Sequence, residues 1–192
     1  MRKIKTASIL LACLTVAGLS AAGILGLNFL AAGSPAPSLA ALSCPVVAPV
    51  RIGKITVPSG PIAGYCQDRL ENAAHIMNAA RALGIGTHTQ TIGVMTAIGE
   101  SGLRVLNYGD STGADSRGLF QQRDNGAWGT LADRMDPFMS ATNFFRRLTG
   151  ISGWKNMSPS LAAHTVQVNA DPNHYAPYWA DAQTIVAALT TG

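Results

Sequence analysis

The chain has 192 residues, of which 47% are hydrophobic and only 12% charged, and its formal net charge is +4. That length holds one domain with a real core plus extra segments. Arg2, Lys3 and Lys5 supply three of the four net charges, which leaves about +1 elsewhere. With no Lys/Arg cluster downstream, that balance excludes a nucleic-acid partner as an expectation.

The basic start is followed from Thr6 to Ala32 by a charge-free run rich in Leu, Ile, Val and Ala. This is the pattern of a secretory signal, with Ala31-Ala32-Gly33 before Ser34 as the small residues a signal peptidase requires. The run exceeds the ~7–15 residues of an ordinary signal core, so a retained membrane anchor is the competing reading. Gly18, Gly23, Gly26 and Asn28 dilute it and put export with cleavage ahead. Residues 1–33 are therefore read as signal peptide or anchor, the product as secreted or held at the cell envelope, and a membrane as a partner only through this segment. Cys13 lies inside it; Cys44 and Cys66 remain, an even count for which a disulfide is expected in an exported protein. Leu10–Cys13 and Ala41–Cys44 faintly resemble lipoprotein cleavage boxes, the first too early in the apolar run and the second too late.

Residues 34–63 carry Pro35, Pro37, Pro45, Pro49, Pro58 and Pro61 and read as an extended arm or linker. Arg51 to Val57 alternates weakly, consistent with a short strand. From residue 64 the texture is helical. Leu70, Ala73, Ala74, Met77, Ala80 and Leu83 recur at three- and four-residue steps before Gly84 and Gly86. Thr87 with Gln90 reads as a capping box for a second helix through Val94, Met95, Ala97 and Ile98 to Glu100. Residues 103–130 form a long glycine-rich loop, and such loops inside compact domains usually carry function. Asp136-Pro137 and Ser158-Pro159 are N-cap and first-turn proline pairs for two more helices. A last helix is expected from about Asn173 to Leu189. Five helices and almost no strand give a mainly α domain over residues 64–192.

Glu100 is the first chemical candidate. Between Ile85 and Glu100 the only other titratable side chain is His88, and a lone carboxylate at the end of an apolar helix is the setting that raises a glutamate's pKa by desolvation. A glutamic acid protonated near neutrality can donate to a leaving group. The alternative for Glu100 is a surface carboxylate paired with Arg104. The four histidines have no metal spacing, so a zinc amidase or peptidase is disfavoured and no metal or organic cofactor is expected. Cys66 with a distant histidine imitates a cysteine peptidase, but an exported cysteine with one available partner is more often bonded.

Glu100-Ser101-Gly102-Leu103, followed after a loop by Gly118-Leu119-Phe120-Gln121-Gln122, resembles the lysozyme-like, soluble lytic transglycosylase superfamily. Tyr108-Gly109-Asp110, Ala127-Trp128-Gly129-Thr130, Met135-Asp136-Pro137 and Gly153-Trp154 extend the likeness to its secreted actinobacterial form, over roughly residues 66–189. Val105 stands where that form has Asn. The resemblance implies a lysozyme-like, goose-type or transglycosylase-like helical fold and a monomer acting on peptidoglycan glycan strands. It implies cleavage of the β-1,4 bond between N-acetylmuramic acid and N-acetylglucosamine, with Glu100 as acid and then base. A transglycosylase needs that one carboxylate, whereas an ordinary muramidase needs a second; Asp110 leads Asp115 and Asp124 for that part, all three competing with a turn-shaping role.

The resemblance also implies substrate contacts from Ser101, Asp110 and Gln121, the last with a loop-bracing amide as its alternative, and from Tyr175 or Tyr178 beside the acid. The segment Asn169-Ala170-Asp171-Pro172-Asn173-His174-Tyr175 departs from the family's third motif and leaves the choice of tyrosine open. Trp128 and Trp154 suit either sugar stacking or core packing. A non-catalytic wall-glycan binder and a component of a secretion or conjugation apparatus are the other classes that fit.

Overall fold

The computed structural model describes residues 44–109 and 113–191. The chain divides into two compact units, and these residues belong to the second, 40–192. The segment read as a signal peptide or anchor, the arm up to residue 43 and Asp110 lie outside the described residues. Two short strands, β1 (Val50–Ile52) and β2 (Ile55–Val57), precede α1 (Gln67–Ala82), α2 (Thr87–Ser101), α3 (Leu131–Met135), α4 (Pro137–Gly150), α5 (Pro159–Gln167) and α6 (Trp179–Thr191). The domain is mainly α, as expected.

The absence of charge from Thr89 to Ile98 of α2 has a packing explanation. Every residue from Thr89 to Ile98 is buried, because α2 packs against α1, α5 and α6 and touches α4. A helix enclosed on all sides leaves no place for an unpaired charge, and the buried hydroxyls of Thr91 and Thr96 bond back to the helix, to the Thr87 carbonyl at 3.0 Å and the Ile92 carbonyl at 2.7 Å. Gly93 marks the tightest approach: a Cβ there would lie 2.5 Å from Phe145 Cζ of α4. Phe144 and Phe145 are completely buried, and the Phe144 ring stacks on Phe120 of the long loop with centroids 4.9 Å apart.

The described part of the arm is no free linker. β1 and β2 pair antiparallel, Val50 opposite Val57, around a turn with Gly53 at φ 60°. The weak alternation of residues 51–57 buries Ile55 and Val57 in the core. Asn78 of α1 donates to the Ile52 carbonyl at 2.8 Å, and Gln67 donates to Ala48 at 2.8 Å and Val57 at 3.2 Å. The expected bond between Cys44 and Cys66 closes this attachment. The domain therefore begins before residue 64.

Three local expectations change. Gly86, not Thr87, is the N-cap of α2, which puts Thr87 one position too late for a capping box; Gln90 donates instead to Ile85 at 3.2 Å. A capping box does open α3, where Thr130 and Asp133 bond reciprocally, in a helix too short to show periodicity. The last helix begins at Trp179 rather than near Asn173, behind a 3₁₀ turn at Ala176–Tyr178 that Pro177 accommodates. Asp136 and Ser158 cap α4 and α5 as expected.

Candidate active site

The end of α2 sets the site. Gly102 adopts φ 60° and Leu103 φ 61°, and their N–H groups return to Ile98 and Ala97, so the chain turns sharply away. Glu100 thereby stands in the last helical turn, half-buried, where an otherwise enclosed helix reaches a cleft of about 670 Å³. The helix dipole favours cations, not carboxylates, at that end. Helix stability does not explain this glutamate.

The long loop returns beside it. Gly118 donates to Leu106 at 2.7 Å, and Arg117 and Gln122 exchange both backbone hydrogen bonds, at 3.1 and 3.0 Å. Ser101 Oγ donates to the Leu119 carbonyl at 2.9 Å and accepts from Arg104 N at 3.1 Å. From the other side, Gln167 of α5 donates to the Phe120 carbonyl at 2.8 Å. With Leu119 and Phe120 completely buried, the turn is clamped and Gln121 (φ 44°) lines the cleft near Glu100. Its amide also donates to Gly118 at 3.1 Å, so the residue both braces the loop and faces the cleft. Ser101 is buried and braces the loop from behind the cleft wall.

Tyr175 is completely buried, and its hydroxyl donates to Glu100 Oε1. It therefore supports the carboxylate from inside the protein rather than offering a surface to a ligand. Burial pushes its phenol far above the ordinary range, and the neighbouring Glu100 charge adds to that. Tyr178 packs with Tyr175 against Gly99, where a Cβ would lie 2.7 Å from Tyr175 Cδ1; Tyr178 is not among the residues lining the cleft. Behind Tyr175, His164 Nδ1 and Asn169 Oδ1 are 2.5 Å apart.

Asp115 and Asp124 are both engaged in loop structure. The Asp115 carboxylate accepts from Asp124 N at 2.9 Å and pairs with Arg123 at 2.9 Å, which together hold it below the usual carboxylate range. Asp124 pairs at 3.3 Å with Arg134, a buried arginine that also donates to the Asp115 and Gln122 carbonyls. Among the described residues lining the cleft, Glu100 is the only carboxylate. Asp110 lies outside the described residues. Trp128 is both core and wall: it is 6% exposed, lines the cleft and carries the Arg147 guanidinium 4.6 Å over its ring. Trp154 packs half-buried against the core and does not line the cleft.

Arg147, Val168, Asn169 and His174 complete the far wall and were not candidates in the sequence. Arg147 follows two core phenylalanines on α4, and its own helical position was the available signal. Val168 holds φ 56° while 81% exposed. A β-branched residue in that conformation is strained, and such strain gathers at functional sites. Among the described residues no group of three or more His, Cys, Asp or Glu could hold a metal, and no helix is long and apolar enough to cross a membrane. Comparison with family models finds no match, and no curated protein matches the chain.

Proposed function

We propose that the chain is a peptidoglycan-cleaving enzyme of lysozyme-like fold that cuts the β-1,4 bond between N-acetylmuramic acid and N-acetylglucosamine, as a lytic transglycosylase. The observation that carries this reading is Glu100: half-buried, supported by a buried tyrosine, and the only carboxylate among the described residues of its cleft. The resemblance of Glu100–Leu103 and Gly118–Gln122 to that superfamily supports it.

In the proposed reaction the Glu100 carboxyl gives its proton to the glycosidic oxygen as the bond to the muramic C1 breaks. The resulting carboxylate then takes the proton of that sugar's 6-hydroxyl while O6 bonds to C1. The product is a 1,6-anhydro end, no water is consumed, and Glu100 returns protonated. Tyr175 keeps one carboxylate oxygen fixed through both proton transfers. Gln121 and the Trp128 edge present hydrogen-bonding and apolar surface to the sugars.

A hydrolysing muramidase is the second reading; it requires a second carboxylate, for which Asp110 is the sequence candidate. Glu100→Gln tests for an enzyme, because wall lysis disappears while a mere glycan binder keeps its affinity. Product analysis on purified peptidoglycan then separates the two enzymes. Anhydro-muramyl ends are expected, and reducing muramic ends would sink the transglycosylase reading. Lysis is expected to survive chelation.

A further inference from the structure

Beside the cleft lies a second pocket of about 260 Å³, between the end of α4 and the α5 surface. Arg146, Arg147, Gly150, Ile151, Thr165 and Val166 line it. Arg147 and Val166 also line the cleft, so the pocket adjoins the cleft wall. We propose that it receives the carboxylate-bearing peptide stem that branches from muramic acid on the strand being cut. This rests on the glycan reading of the cleft.

Three features point to such a branch. The first is unspent charge. Among the described residues the ion pairs are Arg69–Asp68, Arg123–Asp115 and Arg134–Asp124, and neither Arg146 nor Arg147 belongs to one. A cation in the last turn of α4 answers the helix dipole, but that accounts for neither two arginines nor the hollow beside them. The second is geometry: the Arg147 guanidinium carbon lies 4.6 Å over the Trp128 ring centroid, a cation–π contact that leaves the guanidinium N–H groups for a carboxylate. The third is size and lining. The pocket is below the ~300–1,000 Å³ of a site that holds a whole ligand, which suits a branch of a ligand already seated next door. Half-buried Ile151, buried Val166 and the Thr165 hydroxyl match the small alkyl groups and amides of a short peptide. Where a stem is attached, the lactyl carboxyl is tied up as its amide and the sugars are neutral, so a basic pocket beside a glycan cleft selects the branch and not the backbone.

The test uses the Glu100→Gln protein, which holds strands without cutting them. Its affinity is measured for soluble, uncross-linked strands with stems intact and for the same strands after an amidase has removed the stems. The stem-bearing strands are expected to bind more tightly, by up to about tenfold, the range of two solvent-exposed ion pairs. That preference should shrink as salt rises. Adding Arg146→Gln and Arg147→Gln should bring the ratio of the two affinities to about one, with the melting temperature lowered by no more than a few degrees, on the order of the lost Trp128 contact. Equal affinities in the parent, binding to neither strand, or a ratio that survives both substitutions would each overturn the proposal. Cleavage by the wild-type protein is read separately. If lysis is absent but the stem preference is present, the enzymatic reading falls and the pocket stands. If lysis is present without the preference, the enzyme stands and the pocket falls.

Discussion

Tyr175 couples the interior of the protein to its one cleft carboxylate among the described residues. It has no exposure, its ring lies against Gly99, and its hydroxyl meets Glu100 Oε1. Removing only the hydroxyl, as in Tyr175→Phe, keeps the packing and takes away one support of the carboxylate. Misplacing a catalytic group in this way costs far more in rate than in stability. We expect kcat for wall lysis to fall about 10- to 100-fold with KM little changed, and stability to fall by about 1 kcal/mol. A parallel rise in KM would mean instead that the tyrosine binds substrate. The phenol also sets an alkaline limit. Its folded pKa is raised above the value of about 10 it has when unfolded. Above that pH the unfolded chain releases a proton that the folded chain keeps, so stability is whole below about pH 10 and falls beyond it, by about 1.4 kcal/mol per pH unit for one proton. Urea midpoints across this range should fall less steeply in Tyr175→Phe.

At the scale of elements, the site is a helix end held against a clamped turn. Gly118 is the tightest point of that clamp: it has φ 76°, and a Cβ would stand 1.9 Å from the Arg134 carbonyl oxygen. The Gly118 backbone is held by its bond to Leu106 and by the Arg117–Gln122 exchange beside it, and Arg134 is held within α3 by its bond to Thr130. Gly118→Ala should therefore cost at least about 2 kcal/mol, as backbone substitutions at such positions do, and should reduce lysis even where the protein stays folded. Denaturant midpoints and lysis at low temperature check both parts. This clamp also shows what a sequence can and cannot disclose. Glu100 and Gln121 were visible because short motifs preserve residue types where backbone and chemistry are both constrained. The helices were visible through periodicity, capping residues and prolines. The role of Ser101 was not, because a buried hydroxyl bonded to Leu119, eighteen residues away, leaves no local trace. Arg147 was hidden for a similar reason: its partner, Trp128, lies on another element. The late start of α6 was masked because apolar and aromatic residues run straight through the 3₁₀ turn before it.

For the molecule as a whole, the Cys44–Cys66 bond attaches the hairpin to the start of α1. The hairpin contributes Ile55 and Val57 to the core, yet none of its residues lines the cleft, whose walls come from α2, the long loop, α4, α5 and the segment after α5. Stability and activity should therefore separate here. Closing a loop across a sequence separation of 22 restricts the unfolded chain by about 3 kcal/mol in the chain-entropy picture. Replacing both cysteines with serine, or reducing the bond, should lower the melting temperature by about 6–12 °C for a domain of this size. Lysis at 25 °C should be nearly unchanged, because Gln67 and Asn78 still hold the hairpin by its carbonyls and Glu100 keeps its own supports. Comparing melting curves with lysis rates in the same reducing buffer distinguishes the two outcomes. A proportionate loss of activity well below the melting transition would mean that the hairpin and the cleft move together, and that the arm belongs to the machinery of the site.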